Sequence, residues 1–299
     1  MHPGFFMGNG GMKYPLVKQL KQHDILRQSF IDLAVDIFDL SFEAWYQAGF
    51  WTENYIPYAL VDDNQVIANA SVNVIDTCWM GAEKRYIQIG TVMTDKRYRN
   101  NGLARYLLTE IIQDWQYRAD AIYLYANASV RDFYPKFGFE KAREYQYTLR
   151  ATPMASDFRR LDMDDDADRQ QLLHYYAKSN PFSALPMNNN LGLLMFYCAS
   201  YLKACVYFSE KHQAIAIATQ NRGTLLCFDI FAESGSSLTQ IVNALANQQT
   251  QRVVLGFTPK ETRECECTLI DDEDTLFLFS GKENVFRDHQ VMFPLLSHA

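Results

Sequence analysis

The 299-residue sequence has no long apolar run: its longest uncharged apolar stretch, Leu191 to Leu202, includes Ser200 and two tyrosines and is too short to cross a bilayer. No membrane association is expected. It also lacks a basic excess. The 28 lysines and arginines are outnumbered by 35 acidic residues, giving a net charge of −7, which argues against a nucleic-acid footprint. Cysteine is sparse and scattered, at 78, 198, 205, 227, 265 and 267. Cys265-x-Cys267 lacks the two-residue gap of a zinc knuckle, and no paired cysteines or histidines accompany it. Asp162-x-Asp164-x-Asp166 begins like a calcium loop. The sixth position is Ala167 and the twelfth is Leu173, where glycine and glutamate are required, so no metal is expected. The first dozen residues have no basic n-region, and Met7 or Met12 serves equally well as a start, so this segment is left out of fold reasoning. Without an export signal, the expectation is a cytoplasmic protein with buried, reduced thiols.

What is present suits large cores: 48% of residues are hydrophobic and 14% aromatic, over a length of roughly two domains. Tyr14 to Leu20 reads as a short strand. Asp24 caps a helix with apolar residues at helical spacing from Ile25 to Phe38, and a short helix follows to a glycine cap at Gly49. The period then changes. Tyr55 to Asp62 and Gln65 to Cys78 are strands around an Asp63-Asn64 turn, and Arg85 to Thr94 continues the meander. A helix from Leu103 to Tyr117, a strand from Ala121 to Ala126, a helix from Ser129 to Lys136 and a strand from Phe139 to Leu149 complete the first half.

This order predicts an α+β fold, with one domain over residues 13–150, a linker near Arg150 to Ser156 and a second α+β domain over 157–299. The second half opens on an acidic run and a helix through Tyr176. Strands at 204–209, 214–219 and 224–231, a helix at 238–247 and a strand at 252–257 then repeat the strand-strand-strand-helix-strand order of the first. Asn188 to Asn190 is expected to form a turn, and Phe293 to Ala299 is apolar enough to dock.

The chemistry is concentrated between Ile89 and Arg105, where a strand runs through a polar loop into a helix. Amides at a helix N-terminus lack internal partners and suit a phosphate, Gly102 allows close backbone approach, and Arg99 adds charge. By itself the spacing also fits an ordinary turn with a basic surface cluster. The full string is more specific. Arg99-Asn100-Asn101-Gly102-Leu103-Ala104 resembles motif A of the GNAT acetyltransferase superfamily, Arg-x-x-Gly-x-Gly/Ala, which cradles the coenzyme A pyrophosphate. In that family the preceding strand splays so that its backbone meets the pantetheine arm, a role the resemblance gives to Met93 and Thr94.

Downstream, Asn127-Ala-Ser-Val-Arg-Asp-Phe-Tyr134-Pro-Lys-Phe-Gly138-Phe139 is similar to motif B. It implies that Asn127 contacts the cofactor arm and that Tyr134 is the general acid. The resemblance spans about Tyr14 to Leu149 and implies a mixed sheet flanked by helices. The implied activity is transfer of acetyl from acetyl-coenzyme A to a primary amine, entering beside Thr94 and Tyr134 and borne by a small molecule or a peptide. The second half has no arginine or paired glycine before its helix and reads as a degenerate copy.

Many relatives place a glutamate base on the strand before the loop. This sequence has Gln88 there, so a water relay, Asp76, Glu83 or the terminal carboxylate at Ala299 remain as candidates. A non-catalytic acyl-coenzyme A sensor and a purely structural domain are the alternatives. The acceptor and the oligomeric state are not legible.

Overall fold

The computed structural model describes residues 12–233, 235–271 and 273–299. Apart from Met12, the opening segment set aside above lies outside the described residues. The fold is α+β, with strands and helices numbered here in chain order. The first sheet holds β1 (Leu16–Val17), β2 (Tyr55–Asp62), β3 (Gln65–Trp79), β4 (Ala82–Thr94), β5 (Ala121–Ala126), β14 (Thr275–Phe279) and β6 (Phe139–Lys141), in that spatial order. The second runs β13 (Cys265–Leu269), β7 (Tyr145–Arg150), β12 (Arg252–Leu255), β11 (Thr224–Ala232), β10 (Ala214–Asn221), β9 (Val206–Ser209) and β8 (Arg159–Arg160).

The sheets therefore exchange strands across the expected linker. The run read as one strand, Phe139 to Leu149, breaks after Lys141. Its second part, β7, pairs with β12 and β13, while β14 returns from the second half to sit between β5 and β6.

Alternation along the strands sends successive residues to opposite faces. Tyr58 and Leu60 meet α3 (Leu103–Trp115), whose Leu103, Leu107, Leu108, Ile111 and Trp115 are buried. Ala59 and Val61 meet α1 (Asp24–Phe38) through Phe30, Ile31, Leu33 and Ala34. Burying a side chain of this kind contributes roughly 1.5–3 kcal/mol. Asp24 lies in the first turn of α1, with His23 at the cap position. Between β2 and β3, Asp63 and Asn64 both take positive φ (46° and 62°), the geometry of the hairpin turn the sequence announces. Beyond α1, α2 (Glu43–Gln47) buries Trp45.

In the second half, α4 (Asp166–Tyr176) is capped by Asp165, whose side chain accepts from Asp168 N, and α6 (Leu238–Leu245) is capped by Ser237. The apolar run at 191–202 forms α5 (Leu191–Phe196) and then a π-helical turn, Tyr197–Tyr201. Asn190 caps α5 by accepting from Leu193 N at 3.0 Å. A shared core joins Ile75, Tyr86 and Tyr123 of the first sheet to Leu172, Leu194, Ile215 and Phe231 beside the second. Of the six cysteines only Cys198 and Cys227 are buried, and all six are free, which corrects the expectation of uniformly buried thiols. Among the described residues no helix is long and apolar enough to cross a membrane, and no acidic, histidine or cysteine group is arranged to hold a metal.

Candidate active site

The parallel pairing of β4 with β5 runs from Tyr86–Ala121 to Ile89–Leu124 and then stops. Just past that point β4 bulges. From Ser71 to Asn69 the antiparallel pairing advances two residues on β3 while advancing three, Gly90 to Met93, on β4. Thr91 takes φ 48° at the bulge, a conformation that costs a β-branched residue about 1–3 kcal/mol. A polar network holds it there. Tyr55 Oη donates to Thr91 Oγ1 at 3.0 Å and accepts from Ser71 Oγ at 2.9 Å, while Asn69 Nδ2 donates to Thr91 O at 3.0 Å. Burial pushes the Tyr55 hydroxyl up to about 12, so it stays a donor.

Where the strands part, a cavity of about 710 Å³ opens. Its walls include nine of the ten residues proposed from sequence for cofactor and acid roles: Met93, Thr94, Arg99, Asn100, Gly102, Leu103, Ala104, Asn127 and Tyr134. Asn101 is the exception. Its side chain folds back to donate to Tyr98 O at 3.0 Å, and it does not line the cavity. Asn100 (φ 64°) and Gly102 (φ 74°) turn the chain into α3. Gly102 is the N-cap of that helix and supplies no side-chain cap, so the first-turn amides keep their donor capacity. A Cβ at Gly102 would meet nothing within 4 Å, which places open space over the loop. Arg99 is exposed, its Nε donating to Thr94 O at 3.3 Å, and Arg105 joins it on the cavity wall.

On the facing side, the Oδ1 of Asn127 accepts from Ser129 N (3.0 Å) and Ser129 Oγ (2.6 Å), leaving Nδ2 as the group it can offer a ligand. The region read as one helix from Ser129 to Lys136 is two 3₁₀ turns, Ala128–Val130 and Tyr134–Phe137. Pro135 and Gly138 explain the difference: proline at the second position and a left-handed glycine cap (φ 83°) keep the second turn short. Tyr134 opens that turn, is 5% exposed, and has its hydroxyl pushed up to about 12 by burial. It is therefore protonated throughout the physiological range.

Gln88, 2% exposed, occupies the place where a titrating base was looked for. Of the other candidates, Asp76 is bonded to Arg85 (2.8 Å) and Asn189 (3.3 Å), and the Arg85 guanidinium holds its carboxyl below the usual range. Glu83 pairs opposite Cys78 near the far end of the β3–β4 hairpin. Neither lines the cavity. Ala299 does, its carbonyl oxygen accepting from Gln88 Nε2 at 3.4 Å. Sequence reasoning did not find Arg105, Tyr125 or Asp274. Arg105 follows the loop directly and was within reach of a reading by charge. Asp274 arrives only through the strand exchange, which no local pattern announces.

Residues 23–139 match the acetyltransferase (GNAT) family. No curated protein matches the chain in sequence. Among solved structures, the chain is similar to a conserved protein of unknown function from Enterococcus faecalis, described as a probable N-acyltransferase (13% identity, 89% of this chain and 72% of that one, TM-score 0.62). It is also similar to a GCN5-related N-acetyltransferase from Kribbella flavida (15% identity, 89% and 71%, TM-score 0.56). A third likeness is to Eis1 from Mycobacterium abscessus (15% identity, 88% and 73%, TM-score 0.54). At such identities the structural likeness establishes the fold.

Proposed function

We propose, from the premise that the chain carries a GNAT-family acyltransferase domain across residues 23–139, that it transfers acetyl from acetyl-coenzyme A to a primary amine. The observation that carries this reading is the conjunction of a parted β4–β5 pair with an uncapped, glycine-led helix start at the same cavity. The amides following Gly102, with Arg99 and Arg105 nearby, suit the diphosphate. The helix dipole adds only ~0.3–2 kcal/mol, so aimed amides must supply most of the grip. The edge of β4 from Gly90 to Thr94, past the end of its pairing with β5, suits the amide-bearing pantetheine arm, with Asn127 Nδ2 opposite.

In the reaction the neutral amine nitrogen attacks the thioester carbon, the new C–N bond forms and the C–S bond breaks. The amine gives up one proton and the departing thiolate takes one. A free lysine-like amine has a pKa of ~10.4, so about one molecule in a thousand is neutral at pH 7. With Gln88 in place of a carboxylate, we assign the outgoing proton to a water relay beside Gln88 and Ala299. Tyr134 is assigned to the thiolate. Its buried hydroxyl remains protonated and so can donate a hydrogen bond to the sulfur as the C–S bond breaks; with a thiol pKa near ~8.5, the thiolate then takes its proton from solvent.

The non-titrating Gln88 is the one feature that favours the alternative, a binding protein that senses acyl-coenzyme A. Thiol release from acetyl-coenzyme A, followed across a panel of amines, separates the two. An acyltransferase gives turnover well above background with at least one amine. Tight coenzyme A binding with background thiol release throughout would establish the sensor.

A further inference from the structure

A second cavity, of about 330 Å³, adjoins the first and shares Gln88, Tyr125, Asp274 and Ala299 with it. It lies where the two halves exchange strands. Glu144 sits in the crossing from β6 to β7, Ile270 and Asp274 in the crossing back to β14, and Phe196 and Tyr197 at the junction of α5 with the π-helical turn. A π-turn interrupts regular helical bonding and is frequent at functional sites.

The lining has a definite chemistry. Two carboxylates, Glu144 and Asp274, line it, and among the described residues no lysine or arginine does. Glu144 is fixed in place, with Oε1 accepting from Tyr125 Oη at 3.0 Å and from Phe293 N at 2.9 Å. Tyr125, Phe196 and Tyr197 line it with aromatic rings, a residue type whose π-system attracts an ammonium group. Between them Ile270, Met292 and Leu295 present apolar surface. His298 lines the cavity with its ring centroid 4.1 Å from that of Tyr125 and its buried Nε2 without a partner. Burial pushes this imidazole down to about 4, so at neutral pH it adds no positive charge. The space equals roughly ten water molecules at about 30 Å³ each, room for a small molecule and not for a folded segment.

We infer that this cavity is the acceptor chamber, and that it selects a small aliphatic diamine. The assignment rests on the acyltransferase reading above. One amine reaches the shared wall at Gln88 and Tyr125 in its neutral form. The other stays protonated against Glu144, Asp274 and the aromatic faces, with the apolar spacer along Ile270, Met292 and Leu295. The second half of the chain thereby contributes the acceptor specificity, and the amine arrives from the Gln88 end of the cleft, not from beside Thr94.

The test uses the full chain and acetyl-coenzyme A with three acceptors: 1,4-diaminobutane, n-butylamine and a lysine-containing peptide. Thiol release is followed, and products are identified by mass. The diamine is expected to exceed both others by at least about tenfold in kcat/KM. Glu144→Gln, which keeps an oxygen for Tyr125 and Phe293, should raise the diamine KM about tenfold while leaving coenzyme A affinity unchanged, and Asp274→Asn should raise the diamine KM by a similar factor with a smaller effect on butylamine. Ile270→Trp should block both small amines yet bind coenzyme A normally. Equal use of the monoamine, preference for the peptide, or an unchanged diamine KM in both carboxamide variants would overturn the chamber assignment alone. A wild-type chain that fails to bind coenzyme A in a calorimetric titration would instead overturn the acyltransferase reading beneath it.

Discussion

The two halves of the molecule build the same device and use it differently. In each, three antiparallel strands lead through a helix to a fourth strand that pairs in parallel with the third. In each, the third strand bulges just where that parallel pairing ends. In the first half this is at Gly90 to Met93. In the second, the partners step from Ala218–Cys227 to Ile217–Asp229, leaving Phe228 extra. The first parting opens into the cavity of about 710 Å³.

The second is filled by the protein itself. Gly256 N donates to Cys227 O at 2.7 Å, Gly256 O accepts from Leu295 N at 2.8 Å, and Met292 N donates to Thr258 Oγ1 at 2.8 Å. The helix starts differ in the same sense. Gly102 offers the amides of α3 no side-chain acceptor, whereas at α6 Ser237 Oγ accepts from Gln240 N and Gln240 Oε1 accepts from Ser237 N in a reciprocal capping box. A shared backbone plan thus yields a binding cleft or a packed body, depending on which groups meet the exposed donors.

The largest expected contrast is at the helix starts. Gly102→Asp puts a side chain and a negative charge where the diphosphate would lie, at a φ that strains any L-residue, and should weaken coenzyme A binding by at least about a hundredfold in calorimetry. Ser237→Asp, which preserves a cap on α6, should leave that affinity unchanged. A comparable loss from both would dissolve the distinction.

Next comes Tyr134→Phe. It should lower kcat by roughly ten- to a hundredfold with coenzyme A affinity intact. Because the hydroxyl is raised to about 12, any alkaline limb of the rate profile below pH 10 should persist in the variant.

Glycine substitutions at the two partings should differ in what they disturb. A Cβ at Gly256 would lie 2.8 Å from both Phe228 Cα and O, in the adjoining strand, and Gly256→Ala should cost about 1–3 kcal/mol by denaturant unfolding. At Gly90 the Cβ would lie 2.4 Å from the backbone oxygen of Ala299, so Gly90→Ala should displace Ala299 from the wall shared by the two cavities and alter the amine KM, which Gly256→Ala should leave unchanged.

The smallest and most condition-dependent effect lies at Asp229, beside the second bulge. Burial raises its carboxyl from 3.8 to about 7, although Asn180 Nδ2 and Ile230 N both donate to Oδ1. A folded-state value above the unfolded one means that stability is fully present below about pH 4 and is lost as pH rises through 7. Asp229→Asn should flatten that loss, seen as a smaller fall in Tm between pH 5 and 8 than in the wild type. An equally steep fall would remove Asp229 from this role.

Much of the first half was legible because its signals are local. Helical spacing, the Asp63-Asn64 turn and the loop from Arg99 to Ala104 each depend on residues close in sequence. The direction of the Asn101 side chain was not legible, because spacing says which residue occupies a loop and not which way it turns; here its amide serves Tyr98 O. The break after Lys141 was hidden for a related reason. Residues 139–149 carry continuous strand propensity, and whether a strand stays in one sheet depends on partners more than a hundred residues away, Thr275–Phe279 and Cys265–Leu269. Leu191–Phe196 was visible only as an apolar run, since periodicity cannot separate a short buried helix from a buried strand. The acceptor cavity depends on all of these long-range events together.

Counting equivalents in a calorimetric titration of acetyl-coenzyme A into the full chain tests the contrast between the two partings most directly. One equivalent per chain is expected, abolished by Gly102→Asp and indifferent to Ser237→Asp. Two equivalents, or a single one that survives Gly102→Asp, would contradict the assignment of the open cleft to the first half.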